Sequence, residues 1–491
     1  MARVRGEEQP GFLEVMENWL VHQPWFPARR GRRVFTRVGG LRLPTPAGDA
    51  DPELFLEVHV FDVDHVASRR ERHRDQVAVP VAVRSRPSAL AGKNAFIGRL
   101  ARADGAEVWL YDGARDRAFL AAWLEMARRR QGSRNGRSRG EAMAGFDQWS
   151  PFTVQLRRTA SESKLRPVTR TMVTPEGLSD DAGLSQRAVV EFQRRPRSVR
   201  DIELETAMTL TESDSSSIAK VLGVVSCSWE DRTAALAEGV EEAWATGDLA
   251  IIREAIGQAP DGRTLARKAM AEGKTFKRLA RRMGRALGDF HADLATAFGG
   301  HPQSREQLKV MADQARTDLR AHWEQVREEF DDDERTDMAE VVDLMLSELR
   351  EVDEPLQVQR IHGALGLAHT HLADPESERW IFNEDGGMAD QALPLRDVVT
   401  MLMSFANVVM EAASEGHQGK KPAEVDAVNF GQWYEDVSEV FLEGYRQSEA
   451  DTTGVDSVFF RAAMLSEAMD LFSRWQGQWV FRPSMLLQAE S

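Results

Sequence analysis

Residues 359–371 read QRIHGALGLAHTH, and residues 379–387 read RWIFNEDGG. This segment is rich in histidine and glycine, and its apolar residues do not repeat with the 3.6-residue period of a helix. It predicts two short strands joined by loops, whereas the residues on both sides of it have helical periodicity. Because histidine and acidic side chains are concentrated here, the segment is the first place to look for chemistry.

Most of the chain after residue 230 is predicted to be helical. Apolar residues recur at helical spacing in Leu265–Ala297, Gln307–Glu329, Asp337–Leu349, Leu395–Val409, Trp433–Tyr445 and Val458–Trp475. The longest of these ranges carries Leu279, Leu287, Phe290 and Leu294. The C-terminal part of the chain is therefore expected to fold as a large helical lobe.

The first 230 residues are richer in strands. Residues alternate between apolar and polar in Leu54–Val63 and Gln76–Ser85, which is typical of strands with one buried face. Further short strands are predicted at Val108–Tyr111, Phe152–Leu156, Arg187–Phe192 and Val221–Cys227, and helices at residues 11–20, Ala118–Arg129 and Asp201–Thr211. Strands followed by helices indicate the α+β class and are one way to build a nucleotide-binding cleft, although fold alone does not establish that activity.

The order of these elements predicts four segments. Residues 1–130 form an α+β cap, residues 131–150 a basic linker, residues 151–228 a small strand-rich lobe and residues 229–491 a large helical lobe. The linker prediction depends on Arg128–Gly140, RRRQGSRNGRSRG, in which Gly and Ser break any apolar period. A charged run of this kind is usually a solvated loop, and the alternative is a docking patch for phosphate or RNA.

Composition limits the class of protein. The 491 residues are 42% hydrophobic and 29% charged, which excludes a mainly disordered chain. The single cysteine, Cys227, excludes an intrachain disulfide and a Cys-rich zinc site. The net charge of −15 argues against general nucleic-acid binding, and no apolar run reaches the roughly 18 residues of a membrane span. Met1–Pro10 lacks the apolar core of a signal peptide, so we expect a cytoplasmic protein that binds neither nucleic acid nor membrane.

Several motifs, each weak alone, occur in a single order along the chain. They are Pro24-Trp25-Phe26-Pro27, Tyr111-Asp112-Gly113, Asp201-Ile202-Glu203-Leu204, Leu287-Gly288 with His291, Gln359-Arg360-Ile361-His362-Gly363, and Pro394-Leu395-Arg396-Asp397-Val398 with Ser404-Phe405. In this order they resemble the actinobacterial maltokinases and the related aminosugar kinases that carry an N-terminal cap. The resemblance extends over nearly the whole chain. It implies a bilobal, protein-kinase-like fold of the aminoglycoside phosphotransferase type.

The resemblance also implies what each lobe contributes to phosphoryl transfer. A lysine and a flexible loop of the small lobe hold the ATP phosphates, and an aspartate of the catalytic loop takes the proton of the sugar hydroxyl. In this chain the position of that aspartate is Ala364, two residues after His362. Alanine has no basic oxygen. His362 is expected to be a structural histidine of the loop, or to orient the loop through its ring nitrogens.

A second aspartate and an amide hold Mg²⁺ in the family. If the alignment continues from Trp380 without a gap, the metal position is Glu384, and Asn383 and Asp385 are the alternatives. The amide position is His369.

Three further residues have alternative interpretations. His369 and His371 would share a strand face and could bind a different metal together with Asp374 or Glu384. Asp397, at the start of a predicted helix, is expected to be a helix cap or an ion-pair partner rather than a catalytic residue.

The loop that covers the phosphates in the family corresponds to Leu165–Thr171, LRPVTRT. It contains no glycine, and Pro167 removes one of the backbone N–H groups that a phosphate cradle uses. Arg166 and Thr169 are its candidate contacts to a nucleotide.

The lysine position falls on Glu191, within residues 188–195, AVVEFQRR. A carboxylate there would repel phosphates, and the helix partner of the lysine is expected to persist as Glu203. Because the base, the lysine and the phosphate loop are all replaced, the sequence predicts a pseudokinase that works by binding and needs no cofactor. The alternative is an active sugar kinase that uses ATP and Mg²⁺ to phosphorylate maltose or an aminosugar such as glucosamine.

The resemblance implies a place in trehalose, maltose or glycogen metabolism. Trehalose synthase, or another enzyme of sugar metabolism, is the implied protein partner, and a sugar is the implied ligand. A sensor that binds sugar or nucleotide without turnover is a third possibility.

Overall fold

The computed structural model describes residues 11–27, 31–68, 71–88, 93–102, 105–162, 167–176, 187–256, 259–383, 387–416 and 424–475. These residues form two compact units. The first unit lies within Met1–Asp201 and Lys220–Gly257, and the second within Ile202–Ala219 and Gln258–Ser491. Helices and antiparallel sheets occur together, which confirms the predicted α+β class.

Strands and helices are numbered in chain order. The strands are β1 (Arg33–Leu43), β2 (Phe55–Ser68), β3 (Glu71–Arg84), β4 (Phe96–Ala101), β5 (Glu107–Asp112), β6 (Ser138–Ala142), β7 (Leu156–Glu162), β8 (Val168–Pro175), β9 (Ala188–Gln193), β10 (Val221–Glu230), β11 (Trp244–Glu254), β12 (Gly300–Pro302), β13 (Gln357–Ile361), β14 (Thr370–Asp374), β15 (Arg379–Phe382) and β16 (Ala389–Ala392). The helices are α1 (Phe12–Leu20), α2 (Arg117–Arg128), α3 (Ile202–Glu212), α4 (Arg232–Glu238), α5 (Gly262–Ala271), α6 (Lys277–Phe298), α7 (Arg305–Val326), α8 (Asp332–Glu348), α9 (Leu395–Gly416), α10 (Glu424–Arg446) and α11 (Val458–Arg474).

The first unit is built on one antiparallel sheet with the strand order β4-β5-β3-β2-β1-β10-β11-β9-β8-β7, and β6 pairs with β10. The alternation in β2 and β3 sends side chains to two different cores. Leu54, Leu56, Val58 and Val60 lie in the core that contains most of α2, and Val77, Val79, Val81 and Val83 lie in the core that contains α1. Both predicted strand faces are confirmed.

A close contact between β1 and β10 joins the predicted cap and the predicted small lobe into this one sheet. Gly39 pairs with Trp229, and a Cβ atom added at Gly39 would lie 2.7 Å from the Cβ atom of Trp229. This approach therefore requires a glycine on β1.

Residues 131–150 were predicted to form a linker, and this prediction is wrong for the residues that form β6. Ser138–Ala142 pairs with β10, and its buried and more exposed residues alternate along the strand. The buried positions are Ser138, Gly140 and Ala142, so the period-two pattern is carried by small residues between charged ones. A strand whose buried positions carry no large apolar side chains leaves no hydrophobic alternation in the sequence, so this strand could not be predicted.

Three other boundaries differ from the prediction. The first unit extends to Gly257 rather than to residue 228, because β11 pairs with both β9 and β10. The strand predicted at Phe152–Leu156 begins only at Leu156. α3, predicted in the small lobe, belongs to the second unit.

In the second unit, the guanidinium group of Arg360 on β13 holds α3 in place, because it donates to Glu205 at 3.0 Å and to Thr206 at 3.1 Å. The single helix predicted at Leu265–Ala297 is two helices, α5 and α6, separated by residues 272–276. The small strands form two sheets, β12-β13-β16 and β14-β15.

One helical segment of the second unit, Leu395–Ser414 in α9, is long and apolar enough to cross a membrane by its length and its mean hydropathy of 1.2. However, 67% of it is buried inside the protein, as is typical of a core helix.

Candidate functional site

The loop that follows β13 contains the predicted catalytic position. His362 is fully buried, whereas Ala364 is exposed. The Nε2 atom of His362 lies 2.8 Å from the carbonyl oxygen of Asn383, and because a carbonyl can only accept, Nε2 carries the proton. The Nδ1 atom then accepts from the N–H group of Ala364 at 3.4 Å. His362 thereby ties this loop to the end of β15.

Asp397, in the first turn of α9, binds the backbone of the same loop. Its carboxylate oxygens accept the N–H groups of His362 and Gly363, both at 2.8 Å, and the Nε2 atom of His291 lies 3.2 Å away. Asp397 is fully buried. The local sequence predicts a helix cap or an ion-pair partner at Asp397, and it gives no sign that the carboxylate binds two N–H groups of a distant loop.

His291 extends this arrangement into a buried network. Its Nδ1 atom lies 2.9 Å from the hydroxyl oxygen of Tyr445. Burial, and to a lesser extent the neighbouring Asp397, raise the pKa of Tyr445 above its usual range, so the phenol stays protonated and donates to Nδ1. His291 can then donate from Nε2 to Asp397, and side chains of α6, α9 and α10 together position the loop.

Gly363 gives the loop its shape. Its φ angle is +79°, and a Cβ atom at this position would lie 3.1 Å from the Cβ atom of Ala389. The next residue, Ala364, offers only a methyl group, while Asp390 near this loop is bound to Arg360 at 2.8 and 2.9 Å. The loop therefore has an ordered framework, and its predicted base position carries no basic oxygen.

The structure does not bring together the predicted histidine-based metal site. His369 ends a short 3-10 turn, with its ring 5.4 Å from the ring of His362, and the Nδ1 atom of His371 lies 3.4 Å from the carbonyl oxygen of Ala259. His369 and His371 therefore do not share a strand face, because only His371 belongs to β14.

Asp374, the proposed acidic ligand, closes a turn. Its carboxylate accepts from the hydroxyl of Ser377 and the N–H group of Glu376, which hold the pKa of Asp374 below its usual value. Within the described ranges, which omit residues 384–386, no three His, Cys, Asp or Glu side chains are grouped to bind a metal. Glu384 and Asp385 lie outside the described residues. Mg²⁺ prefers oxygen ligands, so the imidazole of His369 does not suit the amide position.

On the first unit, Glu191 lies in β9 between two arginines. Arg170 is directly opposite on β8, and its Nε atom lies 2.7 Å from one carboxylate oxygen. The Nε atom of Arg253 on β11 lies 3.2 Å from the other oxygen. The position predicted to repel phosphate is therefore accompanied by two cations. The sequence does not indicate this pairing, because Arg170 falls in a segment predicted to be a loop and no strand is predicted around Arg253.

Thr169 lies on the opposite face of the sheet. It is fully buried, its hydroxyl donates to Glu162 at 2.8 Å, and it accepts from Nε of Arg194 at 2.8 Å. The buried Arg194 also contacts Asp112 at 2.6 Å. The predicted nucleotide contact of Thr169 is therefore corrected to a structural role. The cause is that Val168–Thr171 belongs to β8 rather than to a loop, so alternate residues face inward.

The structure assigns no role to two other residues of the predicted site. Arg166 lies outside the described residues. Glu203 is half-buried in the first turn of α3, and its role as the partner of a lysine stays a prediction.

Comparison with known proteins supports the fold that the sequence predicted. Residues 19–116 match the family described as the maltokinase N-terminal cap domain. The structure of glucosamine kinase in complex with glucosamine, ADP and inorganic phosphate is similar to this chain, with a TM-score of 0.56 and 15% identity over 98% of this chain and 99% of that chain. Another glucosamine kinase structure, crystal form A, has a TM-score of 0.55 and 16% identity over 98% of both chains. No curated protein matches the chain in sequence.

Residues 19–116 therefore match a maltokinase-type cap, as the motif order predicted. The chain has the kinase-like fold that is also seen in glucosamine kinase, so the predicted fold is confirmed.

Proposed function

We propose that this chain is a maltokinase-like pseudokinase, a protein that binds ligands or partners without transferring a phosphoryl group. The observation that carries the proposal is Ala364, an exposed alanine at the position where the resemblance implies a catalytic base. The surrounding loop is ordered by His362 and Asp397, so the base is missing from a preserved framework. Loss of a general base costs about 10²–10⁴-fold in rate.

An activity assay tests this proposal. We expect purified protein to form no sugar phosphate from ATP and maltose, glucose or glucosamine in the presence of Mg²⁺. An Ala364→Asp variant restores the carboxylate, and it is expected to remain inactive because Glu191 still occupies the lysine position. Turnover by the wild-type protein that is abolished by Glu384→Ala would contradict the proposal.

An active sugar kinase is the second candidate. It is favoured by Arg170 and Arg253, which place positive charge beside Glu191. A large thermal shift with ATP that requires Mg²⁺ would favour this enzyme. Binding of sugar or nucleotide without product would instead indicate a sensor.

The proposed role in trehalose, maltose or glycogen metabolism can be tested by partner binding. We expect the purified chain to form a complex with trehalose synthase, or with another enzyme of sugar metabolism, that is detectable by analytical ultracentrifugation. Sedimentation of the mixture as two independent species would contradict an association with that enzyme.

A further inference from the structure

We propose that a cavity in the first unit binds a small neutral molecule that carries several hydroxyl groups, a sugar or a polyol. The cavity has a volume of about 360 Å³ and lies where the end of β3 meets the connection between β1 and β2 and the start of α2. Sites for small molecules commonly measure about 300–1,000 Å³. Pro87 and Val154 give the cavity apolar surface, against which the C–H groups of a ligand can pack. The inference goes beyond the proposed function and does not depend on it, because it concerns a different site.

A buried group of charges forms part of the cavity lining. The guanidinium group of Arg84 donates to both carboxylate oxygens of Asp49, at 3.1 and 3.2 Å, and to both of Asp116, at 3.0 and 2.8 Å. The side chains of Arg84 and Asp49 are each 10% exposed, and that of Asp116 is 2% exposed. Asp116 also accepts the N–H groups of Ala118 and Phe119 in the first turn of α2. These side chains are therefore held in place before a ligand binds, which lowers the entropic cost of binding.

The formal charges of the lining residues cancel. The lining contains three arginines and three aspartates: Arg84, Arg86, Arg117, Asp49, Asp51 and Asp116. A charged ligand would lose its hydration here without gaining a net attraction. A hydroxyl group, in contrast, can donate to a carboxylate and accept from a guanidinium group. The lining therefore favours a neutral ligand with several hydroxyl groups over a phosphate or an amine.

Exposed side chains of the lining offer hydrogen-bonding groups to such a ligand. The guanidinium group of Arg86 donates to the carbonyl oxygen of Ala50 at 3.3 Å, and that of Arg117 donates to Glu176 at 3.2 Å. A guanidinium group has five N–H donors, so donors remain on both arginines. The side-chain amide of Gln155 has no hydrogen-bond partner among the residues that the structure describes, and it supplies both a donor and an acceptor.

Titration calorimetry on the full chain tests the ligand class, with glucose and myo-inositol as neutral probes. Glucosamine and glucose 6-phosphate are the charged probes, because they add a positive or a negative charge to the same ring. We expect a neutral probe to bind, and the charged probes to bind about tenfold more weakly. Binding of glucose but not of myo-inositol identifies a sugar, the reverse identifies a polyol, and either result supports the proposal. No binding of a neutral probe, or equally tight binding of a charged one, overturns it.

A pair of matched variants locates the site. Ala50 is an exposed residue of the lining, and the ring introduced by Ala50→Trp would fill the cavity. We expect this variant to lose at least about tenfold in affinity for the neutral probe. The control is Ala47→Trp, because Ala47 is exposed in the same connection and does not line the cavity. Equal affinity of the two variants, with melting temperatures like that of the wild-type protein, overturns the proposal.

A milder variant keeps the lining intact. Gln155→Ala removes one hydrogen-bonding side chain, and it is expected to weaken binding of the neutral probe about 2–10-fold. Gln148→Ala, at an exposed glutamine of the same unit outside the lining, should leave affinity unchanged. Equal affinity of these two variants would overturn the placement of the ligand beside Gln155. Turnover by the wild-type protein would contradict the pseudokinase proposal and leave these binding results intact.

Discussion

The loop after β13 and the sheet face around Glu191 hold their charged groups in different ways. In the loop, the carboxylate of Asp397 is fully buried and is bound by two backbone N–H groups and His291. On the sheet, Glu191 is bound by two arginine side chains that are partly exposed. One arrangement fixes a backbone conformation, and the other fixes the positions of long side chains.

This difference shows that the residue at a motif position does not by itself determine the charge of its surroundings. The loop keeps its framework although Ala364 provides no base. The sheet has an acidic residue, Glu191, at the position where the resemblance implies a lysine, yet two cations flank it. A replaced residue at a predicted motif position therefore does not establish what charge the neighbouring residues provide.

The largest expected effect concerns the loop. Asp397→Ala leaves the buried N–H group of His362, the partly buried N–H group of Gly363 and the ring of His291 without their acceptor. We expect it to lower the free energy of unfolding by about 3–5 kcal/mol. Chemical denaturation measures this loss. The control, Asp353→Ala, removes an exposed ion pair with Arg305, and it should cost no more than about 1 kcal/mol. Similar losses for the two variants would mean that Asp397 does not anchor the loop.

A smaller effect is expected from the loop backbone. Gly363→Ala places a side chain at a φ angle of +79°, which costs about 1–2 kcal/mol of stability. Gly366→Ala is the matched control, because its φ angle is −160° and a Cβ atom there would be 3.5 Å from the Oγ atom of Ser404. The control should be neutral or slightly stabilising in a denaturation experiment. Equal destabilisation would indicate that the left-handed conformation is not what requires Gly363.

The smallest expected effect is a change in the free energy of unfolding with pH, which differs between a carboxylate of the first unit and one of the second. Burial raises the pKa of Asp62 on β2 above 3.8, so the folded state holds this proton more tightly than the unfolded state does. The contribution of Asp62 to stability therefore falls as pH rises from about 3.8 through the raised pKa. We expect the free energy of unfolding of Asp62→Asn, relative to that of the wild-type protein, to be higher at pH 7 than at pH 3.

Asp374 provides the opposite case for the same denaturation measurements. The hydrogen bond from Ser377 contributes most to lowering its pKa, so its stabilising contribution is present at neutral pH and is lost as pH falls from about 3.8 through the lowered pKa. The free energy of unfolding of Asp374→Asn, relative to that of the wild-type protein, should therefore be lower at pH 7 than at pH 3. The same pH trend for both variants would contradict the assigned directions.

Much of the fold could be predicted from periodicity and motif order. The valines of β3 and the helical spacing of Phe12, Met16 and Leu20 identified faces that the structure buries. β6 could not be predicted in the same way, because its buried residues are small and the more exposed residues between them are arginine and glutamate. A strand of this composition is stabilised by pairing with β10 rather than by its own side chains.

For the candidate site, the sequence could single out individual residues but not the side chains that surround them. The motif order identified Ala364 and Glu191 as departures from the pattern it resembles. Thr169 was misassigned because a strand was interpreted as a loop, and its partners, Glu162 and Arg194, lie outside the Leu165–Thr171 motif. The surroundings of a residue in a sheet come from neighbouring strands, which are far away in the chain.

Residue type and local spacing were enough to predict the α+β class, and motif order gave the resemblance to a maltokinase-type cap over the region that the family model matches. That Ala364 and Glu191 stand in place of a base and a lysine is implied by the same resemblance and stays a prediction. Three features became visible only in the folded chain: the cap strands continue into the same sheet as β9, Asp397 binds the loop after β13, and Arg170 and Arg253 meet at Glu191. Each of these depends on hydrogen bonds or ion pairs between segments that folding brings together, and such pairings leave no periodic pattern along the chain.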